Sequence, residues 1–212
     1  MESGFFRSLM NSVIVVGCSC FFNCVIASMA AYGFEKKHFW GKEFLFKVYM
    51  LTLMIPGQVT MIPVFIIMKK LGLLNTYFAL VVIILNAFGV FLIRQFMESV
   101  PDELLEAAKV DGCPEYKIFI NIVIPLIKPV LVSLVVFTFV TSWNDFMWPL
   151  VSTTDSSMYT LTVALSLLKT QYQTNYGLIL AGATVSFIFP FILYAFLQKQ
   201  FVEGIALSGV KG

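Results

Sequence analysis

Apolar residues fill this chain in long blocks, and charge arrives in short bursts between them. Ser8–Phe34 carries no charged residue, which exceeds the ~20 positions a helix needs to cross a hydrocarbon core. The block is too long for a signal peptide and lacks a basic region ahead of it, so it predicts a first span. Glu35–Lys47 is a polar connection with four lysines. Val48–Met68 is again uncharged, but Pro56, Gly57 and Pro63 interrupt it. The pattern there predicts a membrane helix over about 44–55, a break, and a short helix from Pro63 to Lys70 near the far surface. Such a break can line a substrate path or be a simple kink.

Leu71–Ile93 predicts a third span, ending at Arg94. Pro129 to about Trp148 predicts a fourth, closing in SWNDFMWPL. Residues 149–175 are a more polar connection, and about 176–198 predict a fifth span before the tail QFVEGIALSGVKG. The fold class expected is therefore an all-α membrane protein with about five transmembrane helices. It is organised as one transmembrane domain over 1–212, with a polar loop at 94–128 and a tail at 199–212.

The polar loop holds the chain's longest charged stretch, Glu103–Pro129. Pro101 suits a first helical turn, where its missing N–H is not needed. Asp102, Glu103 and Glu106 put negative charge at that positive helix end. Gly112 can take the left-handed conformation that closes a helix. Pro114 then opens a second helix with Glu115 in its first turn, and Pro125 disturbs that helix before the next span. Two short helices with a sharp bend at Gly112 are the expectation. Ala107 and Ala108 keep the first helix slim, and Leu104 and Leu105 give it an apolar side. On composition alone the loop reads as an amphipathic hairpin lying on lipid headgroups.

Lysine and arginine bias orients the spans. With the 94–128 loop in the cytoplasm, ten basic residues lie inside, Lys36, Lys37, Arg94, Lys109 and Lys117 among them. Arg7, Lys69, Lys70 and Lys169 lie outside.

Composition agrees with a membrane protein: 59% of the 212 residues are hydrophobic and 12% charged, and the mean hydropathy is +0.88. A soluble domain carries about 25% charged residues. The net charge of +2 gives no footprint for nucleic acid. Cys18, Cys20, Cys24 and Cys113 have no zinc-binding spacing and are assigned to packing. His38, the only histidine, sits beside lysines in a solvated loop. No nucleophile–base set, metal set or HExxH motif within the spans supports an intramembrane enzyme. Neither inverted repeats nor buried coupling charges support a secondary transporter. No Walker A sequence is present, so any ATP is hydrolysed elsewhere.

Within the loop, Glu106, Ala107 and Ala108 are followed after three residues by Gly112, and after nine more by Ile122-Val123-Ile124-Pro125. This EAA–X3–G–X9–I–X–L–P spacing, with Ile124 where leucine is usual, resembles the membrane subunits of binding-protein-dependent ABC importers. LTLMIPGQVTMIPVFIIMKKLGLLNTY, TFVTSWNDFMWPL, TQYQTNYGLILAGA and the terminal LSGVKG are similar to the carbohydrate-uptake class. Within that class they resemble the maltose-type partner permease with a GAVKG-like tail.

The resemblance implies a plasma-membrane permease subunit of a bacterium or archaeon. Its expected partners are a second related permease, two cytoplasmic ATPase subunits and an extracytoplasmic sugar-binding protein. The loop would be a cytoplasmic coupling-helix loop docked into an ATPase, through Glu106, Ala107, Ala108, Asp111, Gly112 and Pro125. The tail, Gly209, Val210, Lys211 and Gly212, would reach the ATPase interface. Family members of this class usually have six spans, so the resemblance implies a six-helix core lacking its first span. Asn144 and Asp145 are candidate pathway or gating residues, with a structural or gating role favoured over direct sugar contact. No cofactor is expected. A non-sugar solute, such as a polyol or a glycerol-phosphate, is the alternative cargo.

Overall fold

The computed structural model describes residues 2–168 and 176–209, and these residues are helical without a strand. Helix α1 (Glu2–Lys36) is the first apolar block. Helix α2 (Lys42–Leu51) ends in a single tighter turn over Thr52–Met54. Pro56 then stands at the N-cap of α3 (Gly57–Lys70), and Pro63 lies inside it. The short helix expected from Pro63 therefore begins earlier, at Gly57. The first proline takes the N-cap, and the second costs the helix only the bond to Val59's carbonyl.

The expected third span is not one helix. It divides into α4 (Tyr77–Val82) and α5 (Ala87–Met97), because the Asn86 side chain accepts a 3.0 Å bond from Phe88 N–H and starts a new helix. The loop folds as α6 (Asp102–Val110) and α7 (Glu115–Ile118), then a π-turn over Phe119–Val123 and the short α8 (Ile124–Leu126). A 76° bend separates this run from α9 (Lys128–Asn144). After α10 (Met147–Ser152) and α11 (Leu161–Leu167), α12 runs from Tyr176 through Gly209. It continues past Gln198, where the fifth span was expected to give way to a tail.

Among the described residues, two helices are each long and apolar enough to cross a membrane: Gly4–Lys36 and Ile179–Phe196. Two interrupted pairs, Lys42–Met54 with Gly57–Lys70 and Glu115–Leu126 with Lys128–Asn144, bring the count to four if each makes one crossing. The divided α4 and α5 do not meet the same length.

The residues cluster in two compact units. The first comprises Met1–Cys20, Pro56–Ile84 and Val136–Leu197. Val15, Met68, Leu80, Ile84 and Trp148 form one buried cluster there, and Val16, Trp143 and Leu161 another. By residue type Trp143 and Trp148 suit an aromatic belt at a lipid boundary. They are buried instead, because each ring N–H finds a backbone carbonyl: Trp148 donates to Ala79 at 2.9 Å and Trp143 to Ser186 at 3.1 Å. Polar seams run beside these clusters. Asn11 donates to the carbonyls of Ser157 and Tyr159 and accepts from the Tyr77 hydroxyl at 2.7 Å. Asn75 has a left-handed φ of 58° and makes four bonds to one loop. Its amide donates to Ser152 O, its Oδ1 accepts from the amides of Thr154 and Asp155, and its Nδ2 donates to Thr154 Oγ1.

The second unit comprises Phe21–Ile55, Leu85–Val135 and Gln198–Gly212. Its core joins Ala27, Ala31, Val90, Ile93 and Met97 to Leu105, Ile118, Val123 and Ile127. Small residues let the helices approach closely. A Cβ on Gly89 would lie 3.1 Å from Ala27 Cβ and 3.2 Å from Leu134 Cδ1. Cys24 packs against this core, while Cys18 and Cys20 pack against the two clusters of the first unit.

Candidate functional site

The second unit carries the polar loop, and its local sequence dictates its shape. Pro101, at φ −62° and ψ 132°, stands as the N-cap of α6 rather than inside its first turn. Asp102 and Glu103 fill that first turn. At the other end Gly112 has a φ of 75°. Its amide donates to Lys109 O at 3.0 Å, and the Cys113 amide reaches back to Ala108 O at 3.0 Å. This pair of bonds is a Schellman closure, which satisfies two carbonyls that a helix end leaves open. Pro114 caps α7, and Glu115 begins it. The result is an elbow of two short helices, as expected from Pro101, Gly112 and Pro114.

The elbow has an inner and an outer side. Leu105 and Ala108 are buried in the unit's core with Ile118 and Val123. Each fully buried Leu or Ile stabilises by about 1.5–3 kcal/mol, so the elbow is fastened to its own chain rather than merely laid on a surface. Glu106, Ala107, Asp111 and Gly112 are exposed, as is Pro125 further on. Of the paired alanines, only Ala107 is on the open side; Ala108 packs inward. The two leucines divide likewise, with Leu105 inside and Leu104 46% exposed.

Two residues that the sequence reading passed over complete the outer side. Val110 is 88% exposed and Tyr116 is 62% exposed. Leu104, Ala107 and Val110 recur every three residues, which sets them along one edge of α6. The spacing is legible in the sequence, but the expected apolar side stopped at Leu104 and Leu105 and did not follow the row on to Val110. An edge of small and apolar side chains, with Glu106 and Asp111 exposed on the same helix and its cap, is suited to receive another protein.

Ion pairs hold this elbow to the neighbouring helix ends. Lys36 Nζ lies 2.8 Å from Asp102 Oδ1 and donates to Val100 O at 2.6 Å. Lys37 pairs with Glu115, which also accepts from the Tyr32 hydroxyl. The Lys36 ammonium holds the Asp102 carboxyl below its usual range. Lys37, and after it Tyr32, do the same for Glu115. Arg94 donates to Glu35 at 2.9 Å and Glu43 at 2.8 Å, and its guanidinium lies 3.9 Å from the centre of the Phe46 ring. His38 is exposed.

The remaining sequence candidates are elsewhere. In the first unit, Asn144 is exposed and donates to Val140 O at 2.8 Å. Asp145 is half-buried, with the backbone of Phe146 and Trp148 beside its carboxyl. Its carbonyl accepts from the Thr162 hydroxyl at 2.8 Å. Asp145 is thus engaged by the turn between α9 and α10. Gly209 is the last residue of α12, and Val210, Lys211 and Gly212 lie outside the described residues.

Apolar helices of spanning length together with an exposed, ion-paired elbow define a polytopic membrane protein. Residues 24–206 match the model of the binding-protein-dependent transport system inner membrane component family, and the chain belongs to that family. It is a multi-pass plasma-membrane protein, and its family is one of transport components rather than enzymes. An arabinooligosaccharide transport system permease of Halalkalibacterium halodurans is 38% identical over 98% of this chain and 74% of its own length. A lactose transport system permease of Rhizobium radiobacter is 35% identical over 95% of this chain and 74% of its own. A solved bacterial ABC transporter involved in importing the acidic polysaccharide alginate shares the fold. Its TM-score is 0.73 at 23% identity, covering 98% of this chain and 76% of the solved one.

Proposed function

We propose that this chain is a membrane-spanning permease subunit of an ATP-driven sugar importer, and that the elbow couples it to a cytoplasmic ATPase that does the hydrolysis. The observation that carries the coupling role is the outer edge of α6. Leu104, Ala107 and Val110 stand exposed next to Glu106, on a helix whose other side is locked into its own core. The names of the relatives, an arabinooligosaccharide and a lactose system, favour a sugar over a polyol or a glycerol-phosphate.

In this reading a second related permease completes the pathway, two ATPase subunits lie below it, and an extracytoplasmic binding protein delivers the sugar. Five crossings result if α4 and α5 together make one. Glu106, Ala107, Asp111 and Gly112 face the ATPase; Ala108 and Pro125 shape the elbow. A tail contact with the ATPase through Gly209, Val210, Lys211 and Gly212 belongs to the same reading. Asn144 and Asp145 have a structural or gating role at the outer end of α9.

Cys113, exposed beside the bend, is a native attachment point for the test. In membranes containing the assembled complex, a thiol-to-amine crosslinker at Cys113 is expected to capture the ATPase subunit. Glu106→Lys removes a docking charge and introduces its opposite. Truncating one partner of a buried interfacial charge pair costs about 2–5 kcal/mol. ATPase co-purification is therefore expected to fall by about 30-fold or more, with uptake, while the permease still inserts. Crosslinks only to lipid, or full ATPase retention in the Glu106→Lys complex, would refute the docking role.

A further inference from the structure

The elbow's docking edge does not account for how its base is held. Both of its helices begin against the same end of α1. Lys36, whose side chain is 5% exposed, reaches the start of α6 twice, through Val100 O at 2.6 Å and Asp102 Oδ1 at 2.8 Å. The next residue, Lys37, reaches Glu115 at the start of α7. Tyr32, one turn earlier and buried, donates its hydroxyl to the same carboxylate. Its ring packs against Phe119 at 5.2 Å between centres, and the Lys37 ammonium lies 4.9 Å over it. One residue before Lys36, Glu35 accepts from Arg94 at the end of α5.

Apart from Lys37 over the Tyr32 ring, each of these contacts joins residues more than fifty positions apart, so it does not follow from helix continuity. A single contact would leave the elbow free to swivel about it. Two contacts, at Asp102 and Glu115, lie on opposite sides of the Gly112 bend along the chain and remove that freedom. Hydrogen bonds between charged groups are short and directional, so they transmit rotation as well as load. The Lys36 ammonium is sheltered while Asp102 is 71% exposed, so the bond to Val100 O is the better protected of its two contacts from salt and water.

We infer that Lys36, Lys37 and Tyr32 are positioning residues that fasten the elbow to α1 at two points, so that movement imposed on the elbow is delivered to the first membrane helix. This rests on the coupling role proposed above. The three residues touch neither sugar nor nucleotide. They act through Asp102, Val100 and Glu115, and they set how much of the motor's stroke arrives in the membrane.

The measurement is sugar imported per ATP hydrolysed, by the complete complex with its binding protein in proteoliposomes. Lys36→Met is expected to leave an assembled complex that still hydrolyses ATP but imports about tenfold less sugar per ATP, the scale of losing one charge-assisted bond. Lys36→Arg keeps the charge and is expected to restore most of the ratio. Lys37→Glu is expected to lower it, and Lys37→Glu with Glu115→Lys to recover it. Two results would overturn the inference: an unchanged ratio in Lys36→Met, or ATP hydrolysis and import falling together in both lysine variants, as for plain destabilisation. If Lys36→Met does not assemble, the Lys37–Glu115 exchange decides alone, and no recovery overturns the inference. Glu106→Lys separates the two levels: a normal Glu106→Lys complex defeats the coupling role itself. An uncoupled Glu106→Lys beside normal lysine variants defeats only the fastening to α1.

Discussion

Gly112 offers the most direct test of the elbow's geometry. Its φ of 75° lies in the left-handed region, and nothing stands within 4 Å of where a Cβ would go. A side chain there meets no clash, so its whole cost is backbone strain, about 1–2 kcal/mol for alanine. That strain opens the bend about 5–30 times more often. Gly112→Asn is expected to be milder, since asparagine tolerates this region better. Gly112→Pro is expected to be far worse, because its ring fixes φ near −65° and removes the N–H that donates to Lys109 O. Hydrogen exchange reads this directly through the Cys113 amide, which closes the bend by bonding Ala108 O. In the assembled complex in lipid discs, its exchange should rise in the order Gly, Asn, Ala, Pro, with sugar uptake falling in the same order. Wild-type exchange at Cys113 in Gly112→Ala and Gly112→Pro would refute the reasoning. It would mean that the core contacts of Leu105 and Ile118, not the glycine, hold the elbow.

Two further outcomes follow from the second unit. Gly89→Val puts a branched side chain where a single Cβ already lies 3.1 Å from Ala27 and 3.2 Å from Asn23 Oδ1. It is expected to destabilise the unit by about 1–3 kcal/mol, seen as a lower thermal midpoint in detergent, with Gly89→Ala intermediate. The carboxyls of Asp102 and Glu115 titrate lower in the folded chain than free, because Lys36 and Lys37 favour their charged forms. Their contribution is therefore complete above about pH 5 and fades as pH falls through and below about 4. A spin label on Cys113 should keep constant mobility from pH 8 to 5 and loosen below that, with Asp102→Asn loosening it already at neutral pH.

The elbow was legible because proline and glycine act locally. Pro101, Gly112 and Pro114 restrict their own backbone whatever surrounds them, and α6 begins and ends, and α7 begins, within a residue of where these place them; α7 itself stops at Ile118, short of Pro125. The apolar blocks were legible as helical for the same reason of scale. What the sequence hid depends on neighbours. A run of apolar residues does not reveal that Asn86 is a cap rather than a passenger, so the third block seemed continuous. Trp143 and Trp148 suit a lipid boundary or a core equally well until a carbonyl is found for each N–H. Leu104 and Leu105 are chemically identical, and only the packing of Ile93, Met97 and Ile118 chooses which is inside. Lys36 and Lys37 counted towards orientation in the sequence. Their bonds to Asp102 and Glu115 span too many residues to be read from spacing.

Asn75 stitches a loop in the first unit with four bonds from one amide side chain and its own backbone. A seam of that kind needs no cystine, so reductants and oxidants leave it alone. Its weakness is hydrolytic. Loss of ammonia from Asn75 would turn the Nδ2 donor facing Thr154 into a carboxylate oxygen, beside Asp155. The two backbone amides would still be accepted, but the Thr154 hydroxyl would have to turn from acceptor to donor for the stitch to keep its fourth bond.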